Sequence, residues 1–584
     1  MSVSARLILV CLLLLAAVPA GAGEFRTIEI ESLKITIDSE WGTRAAPGYL
    51  PVRFDVTNLG EARIIEIFGQ GVRFSRTGGV QPGGITVRQT VRVARGDRIR
   101  LTLPVPIFAD NENIWFEIRE DGRTLERFNY TGLQGRTAPA NAATLIVVDP
   151  ASAFGKTAAS WPRPITGPPS GTMYGGGKPL DFLLEPARVP ASWLGFTSLR
   201  AVIVGPKEWE QLNEAQKDAL LAWTAGGGDL IFVDGDMNAL FQGRQSPHGG
   251  ADAAARGYFF GRIHLPTSAS VAAAGLAKVL TDAETVKDAN WALPANSAPD
   301  WGKIAGRGFL LPIPGVDGIP ARAYLSILIV FTLLIGPVNY WFLWRQRKQV
   351  LLVLTTPLIS ALFIVLLGGY VLAGEGVGVR GRAVTFTMLD QVSRQASTRA
   401  SISLYAAGMR PAGGLRFARD VAVFPIGSDG NGPRERQTLD LTDAQRFSAG
   451  VIQARSPTNL EQIGFRTARE RLSFNREAGG MTVVNGLGIT VAALVYRDGD
   501  TVYSLANPLT AGGKANLRAG AADARIAIPP DLPQSARFHY LVAHQPRDSY
   551  LAVLETSPFW DPGVANVTER GSFHLVIGWP GGQP

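Results

Sequence analysis

The sequence predicts a multidomain α+β membrane protein, and three observations carry that expectation. First, segments 324–344 and 350–373 contain no ionisable side chain other than tyrosine. Each reaches the roughly 20 apolar residues that a helix needs to cross a bilayer core. Second, short stretches of alternating apolar and polar residues dominate both flanks of this pair. Third, 139–300 switches to continuous apolar runs separated by a helical stripe, the pattern of an α/β unit. The expected order is an N-terminal β-sandwich, an α/β domain, a two-helix transmembrane hairpin and a C-terminal antiparallel β domain.

Composition supports this order. A chain of 584 residues has room for about three or four domains. With 66 Gly and 38 Pro, turns and short strands are favoured over long helices. The net charge of +8 is spread along the chain, and no basic run is interleaved with aromatics. That pattern is a solvated surface, so no nucleic-acid partner is expected.

Residues 1–22 read as a secretory signal peptide. Arg6 supplies the positive end, 7–18 the apolar core, and Ala20, Gly21 and Ala22 a small-x-small cleavage site. The apolar core is short for a permanent span, so cleavage is expected over retention as an anchor. The single cysteine, Cys11, lies inside this core. The exported chain is therefore expected to lack a disulfide, a thiolate metal site and a cysteine nucleophile.

The segment 23–138 reads as an immunoglobulin-like sandwich. Val52, Phe54 and Val56 alternate with Arg53, Asp55 and Thr57, and Ile114, Phe116 and Ile118 repeat the period. Trp41 and Trp115 are expected in its core. In 139–300, the run from Thr144 to Asp149 and the run from Leu199 to Gly205 read as buried parallel strands. A helix opened by Asn213 and Glu214, with Leu212, Ala215, Ala219, Leu220 and Trp223 on one stripe, precedes Gly226, Gly227 and Gly228. A further strand ends at Asp234, and 268–280 is a further helix candidate. After a linker, 301–322, come helix 323–344, the turn 345–349 and helix 350–373. Strands return in 374–584, with Asp498 and Gly499 marking a tight hairpin.

The run Leu212, Gln216, Leu220, Trp223, Gly227, Gly228 and Leu230 resembles the class I glutamine amidotransferase-like domain of an uncharacterised family of exported bacterial membrane proteins. Gly336, Pro337, Val338, Asn339 and Tyr340, a basic turn, then Thr356 and Pro357 resemble the hairpin of the same family. Asn485, Gly486, Leu487 and Gly488 provide a third match. The resemblance implies a flavodoxin-like fold for 139–300, and an enzyme of that type would use a Cys-His-Glu set. With no cysteine beyond position 11 and no Gly-x-Ser-x-Gly elbow, a degenerate, catalytically silent domain is expected.

Candidate sites are few. Asp234, Asp236 and Asn238 have calcium-loop spacing, but Ala239 and Gln245 stand where glycine and glutamate belong. Asp234, Asp236 and His248 remain a candidate ligand edge at the carboxyl ends of the strands. Gly171 to Lys178 is a poor phosphate loop, since Pro179 replaces the hydroxyl residue. His539, His544 and His574 read as ordinary histidines. Gly336, Pro337, Asn339 and Pro357 are the expected helix-packing positions. Arg345, Arg347 and Lys348 are expected on the cytoplasmic side. With no charge inside either span, an ion pathway is not expected.

These readings converge on a non-enzymatic envelope protein of the bacterial inner membrane, with most of the chain periplasmic or extracellular and a binding or scaffolding role. The alternatives are an accessory subunit of a transport or secretion complex, and a thiol-independent hydrolase working at the α/β sheet edge. Membrane lipid and membrane or envelope proteins are the expected partners, and no cofactor or metal is expected.

Overall fold

The computed structural model describes residues 25–581 with breaks. The longest breaks are 40–47, 131–143, 167–177, 245–254, 275–310, 427–436 and 533–541. Strands dominate, as the alternating patterns require.

The N-terminal region is two sheets packed face to face. One is antiparallel, in the order Phe25–Ile30, Leu33–Ser39, Gly48–Asn58 and Arg98–Ile107. The other holds Val80–Val93, Arg63–Phe74, Glu112–Glu120 and Arg123–Tyr130. Val52, Phe54 and Val56 point into the shared core, and Ile114, Phe116 and Ile118 meet them. Phe54 and Phe116 make an edge-on ring contact at 5.3 Å. The same alternation turns Trp115 to the opposite face, where Arg127 lies 4.4 Å over its ring. Trp115 is therefore half-buried on the outer face and not in the core. Trp41 falls outside the described residues.

The second N-terminal sheet does not end with its own strands. Gln437–Asp440 pairs in parallel with Val80–Val93, and Gln445–Ala449 and Leu415–Phe417 follow outward. This sheet has seven strands, three of them from beyond the hairpin. The region 374–584 thus sends an excursion back into the first sheet. The pairing is driven by burial: Leu439, Leu415, Phe417 and Phe447 are all within 2% of full burial. Tyr49 fixes the seam from the other side, its hydroxyl donating to Val423 O at 2.6 Å.

Residues 144–274 form a six-stranded sheet in the order Asp181–Leu184, Thr144–Val147, Ala201–Val204, Asp229–Phe232, Gly261–His264, Ala255–Tyr258. The first five are parallel and the last is antiparallel. Both faces are covered, which is why the strands read as continuous apolar runs. Leu145, Val147, Val202 and Val204 face the main core. Ile146, Val148, Ala201 and Ile203 face a smaller one containing Trp161 and Val271. Helix Glu214–Ala225 is opened by a capping box between Asn213 and Gln216. The box turns Gln216 inward, where its Nε2 donates to Pro186 O at 3.0 Å and Val189 O at 2.7 Å. Ala215, expected on the buried stripe, is exposed instead. The helix Ser268–Ala274 is present, and the rest of 268–280 lies outside the described residues.

Beyond the hairpin, a long sheet runs in the order Val421–Ile426, Pro457–Thr467, Gln395–Ala406, Val379–Asp390, Phe573–Trp579, Ser549–Leu554, Val491–Asp498, Thr501–Ser504, Arg518–Ala519. It was expected to be antiparallel throughout, but at its centre Val379–Asp390 and Phe573–Trp579 run parallel. The closing strand of the chain inserts between two earlier ones, so hairpin geometry does not set its direction. A three-stranded sheet, Arg471–Glu477, Gly480–Gly486 and Lys514–Asn516, packs over one face. Its Phe474 stacks on Tyr496 at 4.0 Å. The hairpin at Asp498 has Gly499 first in the loop with φ +59°, the arrangement that favours glycine there.

The α/β unit docks on this long sheet. Ser397 Oγ donates to Ala225 O at 2.9 Å, and Arg399 donates to Gly226 O at 2.8 Å. Phe260 meets Phe386 edge-on at 5.5 Å. Beside this contact, Asp229 is buried with Arg262 at 2.9 Å and His264 at 3.5 Å. Burial alone would push the Asp229 carboxyl up. The His264 hydrogen bond and the Arg262 charge outweigh it and hold the carboxyl below its usual range.

If the seam holds the first sandwich together, Leu439→Ala costs about 2–5 kcal/mol of stability, as for other fully buried leucines. Limited proteolysis should then cut within 80–93, the strand left with a weakened neighbour. Unchanged protection there would show that the excursion is an ornament on an already complete sheet.

Candidate functional site

The expected ligand edge is built differently from its sequence pattern. Asp234 takes a positive φ of +57° just after strand Asp229–Phe232. Its carboxylate accepts from Ser268 N at 2.7 Å and from the Ser268 hydroxyl. Asp236 caps the short helix Met237–Leu240, accepting from Ala239 N at 2.8 Å. Both carboxylates therefore serve helix starts, the common use of Asp at such positions. His248 lies outside the described residues, as does most of 171–178. Among the described residues, no group of three histidine, aspartate or glutamate side chains could hold a metal ion.

A different carboxylate occupies the carboxyl edge of the sheet. Glu208 follows strand Ala201–Val204 and is fully buried. The Ser152 hydroxyl, at the end of the adjacent strand's loop, bonds its Oε1. Its Oε2 has no hydrogen-bond partner among the described residues. A Cβ on Gly205 would lie 2.6 Å from that oxygen and 3.0 Å from Phe154 Cγ, so a larger residue there would push the carboxylate or the ring aside. Ser152 also accepts from Gly155 N at 2.8 Å and so caps helix Ala153–Ser160. Nearby, Asp149 accepts from Gln211 Nε2 at 3.0 Å and Ala151 N at 2.9 Å. These two bonds hold its carboxyl below the usual range. Sequence reading passed over Glu208 because one glutamate in a first helical turn looks like an ordinary dipole partner.

A second polar chain crosses the long sheet. His574 is fully buried, with Nδ1 2.9 Å from Thr385 Oγ1 and Nε2 2.9 Å from Glu569 Oε2. The order hydroxyl, imidazole, carboxylate is that of an activated nucleophile. Thr385 is only 1% exposed, however, on a central strand paired on both sides, so its hydroxyl is closed to solvent. Burial pushes the Glu569 carboxyl up, and the bond to His574 pulls it below its usual range. His539 and His544 lie outside the described residues.

The hairpin is well defined. Leu325–Arg345 and Gln349–Gly369 are long and apolar enough to cross a membrane, and almost nothing in either is buried by protein. Helix Ala321–Leu333 widens into a π turn at Leu334–Val338 and resumes as Asn339–Arg345. Pro337 sits in that turn. A wider turn moves the proline ring off the carbonyl it would strike and absorbs the missing N–H. Asn339, buried among exposed neighbours, donates to Thr355 Oγ1 of the second helix at 3.0 Å. Phe331 and Phe363 meet across the pair at 5.1 Å. Pro357 lies early in Leu352–Glu375. Nothing described lies within 4 Å of where a Cβ on Gly336 would sit, so Gly336 is not a close contact between the two helices. Arg345 ends the first helix, and Arg347 and Lys348 lie in the turn.

No family model matches the chain, and no curated protein does. Solved structures give partial likenesses. Ptr ToxA, a host-selective toxin of Pyrenophora tritici-repentis, is 16% identical over 17% of this chain and 82% of its own, with TM-score 0.12. The Pseudomonas fluorescens alkylpurine DNA glycosylase AlkC, bound to DNA, is 9% identical over 18% of this chain and 31% of its own, with TM-score 0.14. A Bacteroides uniformis beta-glucuronidase is 11% identical over 35% of this chain and 34% of its own, with TM-score 0.15. The matches span about a third of the length of these two enzymes. Likenesses this small carry no argument about function.

Three substitutions probe these arrangements. Asn339→Leu removes the cross-helix bond and should cost about 0.6–2 kcal/mol in detergent unfolding. Thr355→Val should cost the same, and the pair together no more than either alone. Ser152→Ala removes a helix cap worth about 1 kcal/mol and leaves the buried Glu208 carboxyl without its partner, a further 1–3 kcal/mol or so. A thermal midpoint unchanged by Ser152→Ala would mean Glu208 is held by something else.

Proposed function

We propose that this chain is a non-enzymatic membrane-anchored envelope protein with a binding or scaffolding role on the outer face of the cytoplasmic membrane. The observation that carries this reading is the shared sheet. Val80–Val93, before the hairpin, pairs with Gln437–Asp440, after it. Two segments in one hydrogen-bonded ladder lie on one side of a bilayer, so both ends of the hairpin emerge together. The leader at 1–22 gives the direction of export. Arg345, Arg347 and Lys348 then face the cytoplasm.

Within this reading the α/β unit is flavodoxin-like and a degenerate amidotransferase-like domain. Its strand order, second, first, third, fourth from one edge, supports that assignment. The sole cysteine, Cys11, is far from the unit in sequence and inside the leader. A thiol-independent hydrolase would draw on Asp234, Asp236 or His248; Asp234 and Asp236 are already bonded to helix starts, and His248 lies outside the described residues. The reading as an accessory subunit of a transport or secretion complex shares the same topology. Asn339 gives it little support, because that side chain already has its partner in Thr355.

Reporter fusions test the arrangement. A fusion at Gln346 should report the cytoplasm, and fusions at Gly250 and Gly499 the outer face. Opposite reports at Gly250 and Gly499 would break the shared-sheet argument. Turnover of an amide, ester or glycan substrate by the purified full chain would sink the non-enzymatic reading.

A further inference from the structure

The turn between the two apolar helices carries more chemistry than a connector needs. Its backbone closes as a double hydrogen-bonded helix end, with Lys348 N donating to Leu343 O and Arg347 N to Trp344 O, both at 3.0 Å. In that motif the residue at the position of Arg347 turns left-handed, and glycine is the usual occupant. Arg347 adopts the turn at φ +52°. A long charged side chain thus stands where the backbone favours none, the sort of local conflict that collects at working sites.

The surroundings give that charge a use. Arg345, Arg347 and Lys348 are exposed, and none has a carboxylate partner among the described residues. Tyr340 and Trp341 sit one turn deeper, Trp344 lies beside Arg345, and each ring is more than half exposed. Arg345 lies 5.7 Å over the Trp341 ring. Aromatic rings just below a ring of cations, at the end of two lipid-length helices, match the chemistry of a bilayer interface. The cations are exposed at the end of the hairpin, and they lack carboxylate partners among the described residues.

We infer that this turn is a recognition surface for anionic phospholipid headgroups, gathered by Arg345, Arg347 and Lys348 over the Tyr340, Trp341 and Trp344 belt. The inference rests on the membrane-anchor part of the reading above. Each basic side chain at a membrane surface strengthens association with acidic lipid by about fivefold. The contribution weakens as salt screens it. The partner is a lipid of negative headgroup, and the acyl chains are bound by the apolar helices without regard to charge.

The test uses the full chain in detergent micelles with equimolar phosphatidylglycerol and phosphatidylcholine of identical acyl chains, read by native mass spectrometry. Phosphatidylglycerol should be retained over phosphatidylcholine by about fivefold or more, narrowing as ionic strength rises. The triple variant Arg345→Gln, Arg347→Gly, Lys348→Gln should bring the ratio to about one. Arg347→Gly alone separates the roles: it relaxes the backbone, so the thermal midpoint holds or rises, while the preference falls severalfold. Equal retention of the two lipids by the natural chain overturns the inference, and so does a preference that survives the triple variant. Neither result touches the anchor itself, whose failure would appear instead as loss of the chain from the membrane fraction.

Discussion

The structure depends on one pairing, the parallel ladder between Val80–Val93 and Gln437–Asp440. It brings Thr90 N to Thr442 Oγ1 at 3.0 Å across 352 residues of sequence. Around it gather the Tyr49 hydrogen bond to Val423 and the Trp193 bond to Asp420 O at 2.8 Å. The first sandwich, the α/β unit and the outer strands of the long sheet share one apolar core as a result. A boundary drawn at the membrane segments therefore divides the sequence but not the packed body.

That body manages its buried polar groups in a consistent way. Asp234, Asp236, Ser152 and Asn213 serve helix starts. Gln216 and Asn485 tie loops whose carbonyls would otherwise be orphaned. Asp229 is paired twice where the α/β unit meets the long sheet. The Glu208 carboxyl, half satisfied by Ser152, departs from this habit, as does the Trp161 indole N–H. Leaving a buried acceptor unmatched costs about 1–3 kcal/mol, so the free Oε2 of Glu208 is a local cost to the stability of the unit.

What could be read from the sequence followed from periodicity. The period of two placed Val52, Phe54 and Val56 inward, and Asn213 with Glu214 announced a helix start. The uncharged stretches announced the hairpin. Trp115 shows the same rule neglected: with Ile114 and Phe116 inward, alternation already assigned it to the other face. The excursion through 415–449 was not legible, because its short strands carry the same pattern whichever sheet receives them. Register between distant segments is settled by a shared core, and a single sequence does not display it. Glu208 was illegible for a related reason. Its burial comes from Phe154 and Gly205 meeting over it, which no local spacing encodes. The calcium-like spacing of Asp234 and Asp236, already discounted at Ala239 and Gln245, is the spacing of two aspartates bonded to helix starts.

The seam also sets a timetable. Val80–Val93 leaves the ribosome long before its partner strand is made, and at about 5–20 residues per second the wait is of the order of tens of seconds. Under the proposed membrane-anchored reading, the hairpin is threaded into the bilayer and the following chain delivered to the same side during that time. An open sheet edge with Val87 and Ile85 behind it is a template for mispairing while it waits. Biogenesis of this protein is thus a race between delivery of a late strand and misassociation of an early one. Any factor that shields open strand edges would decide its yield more than its final stability does.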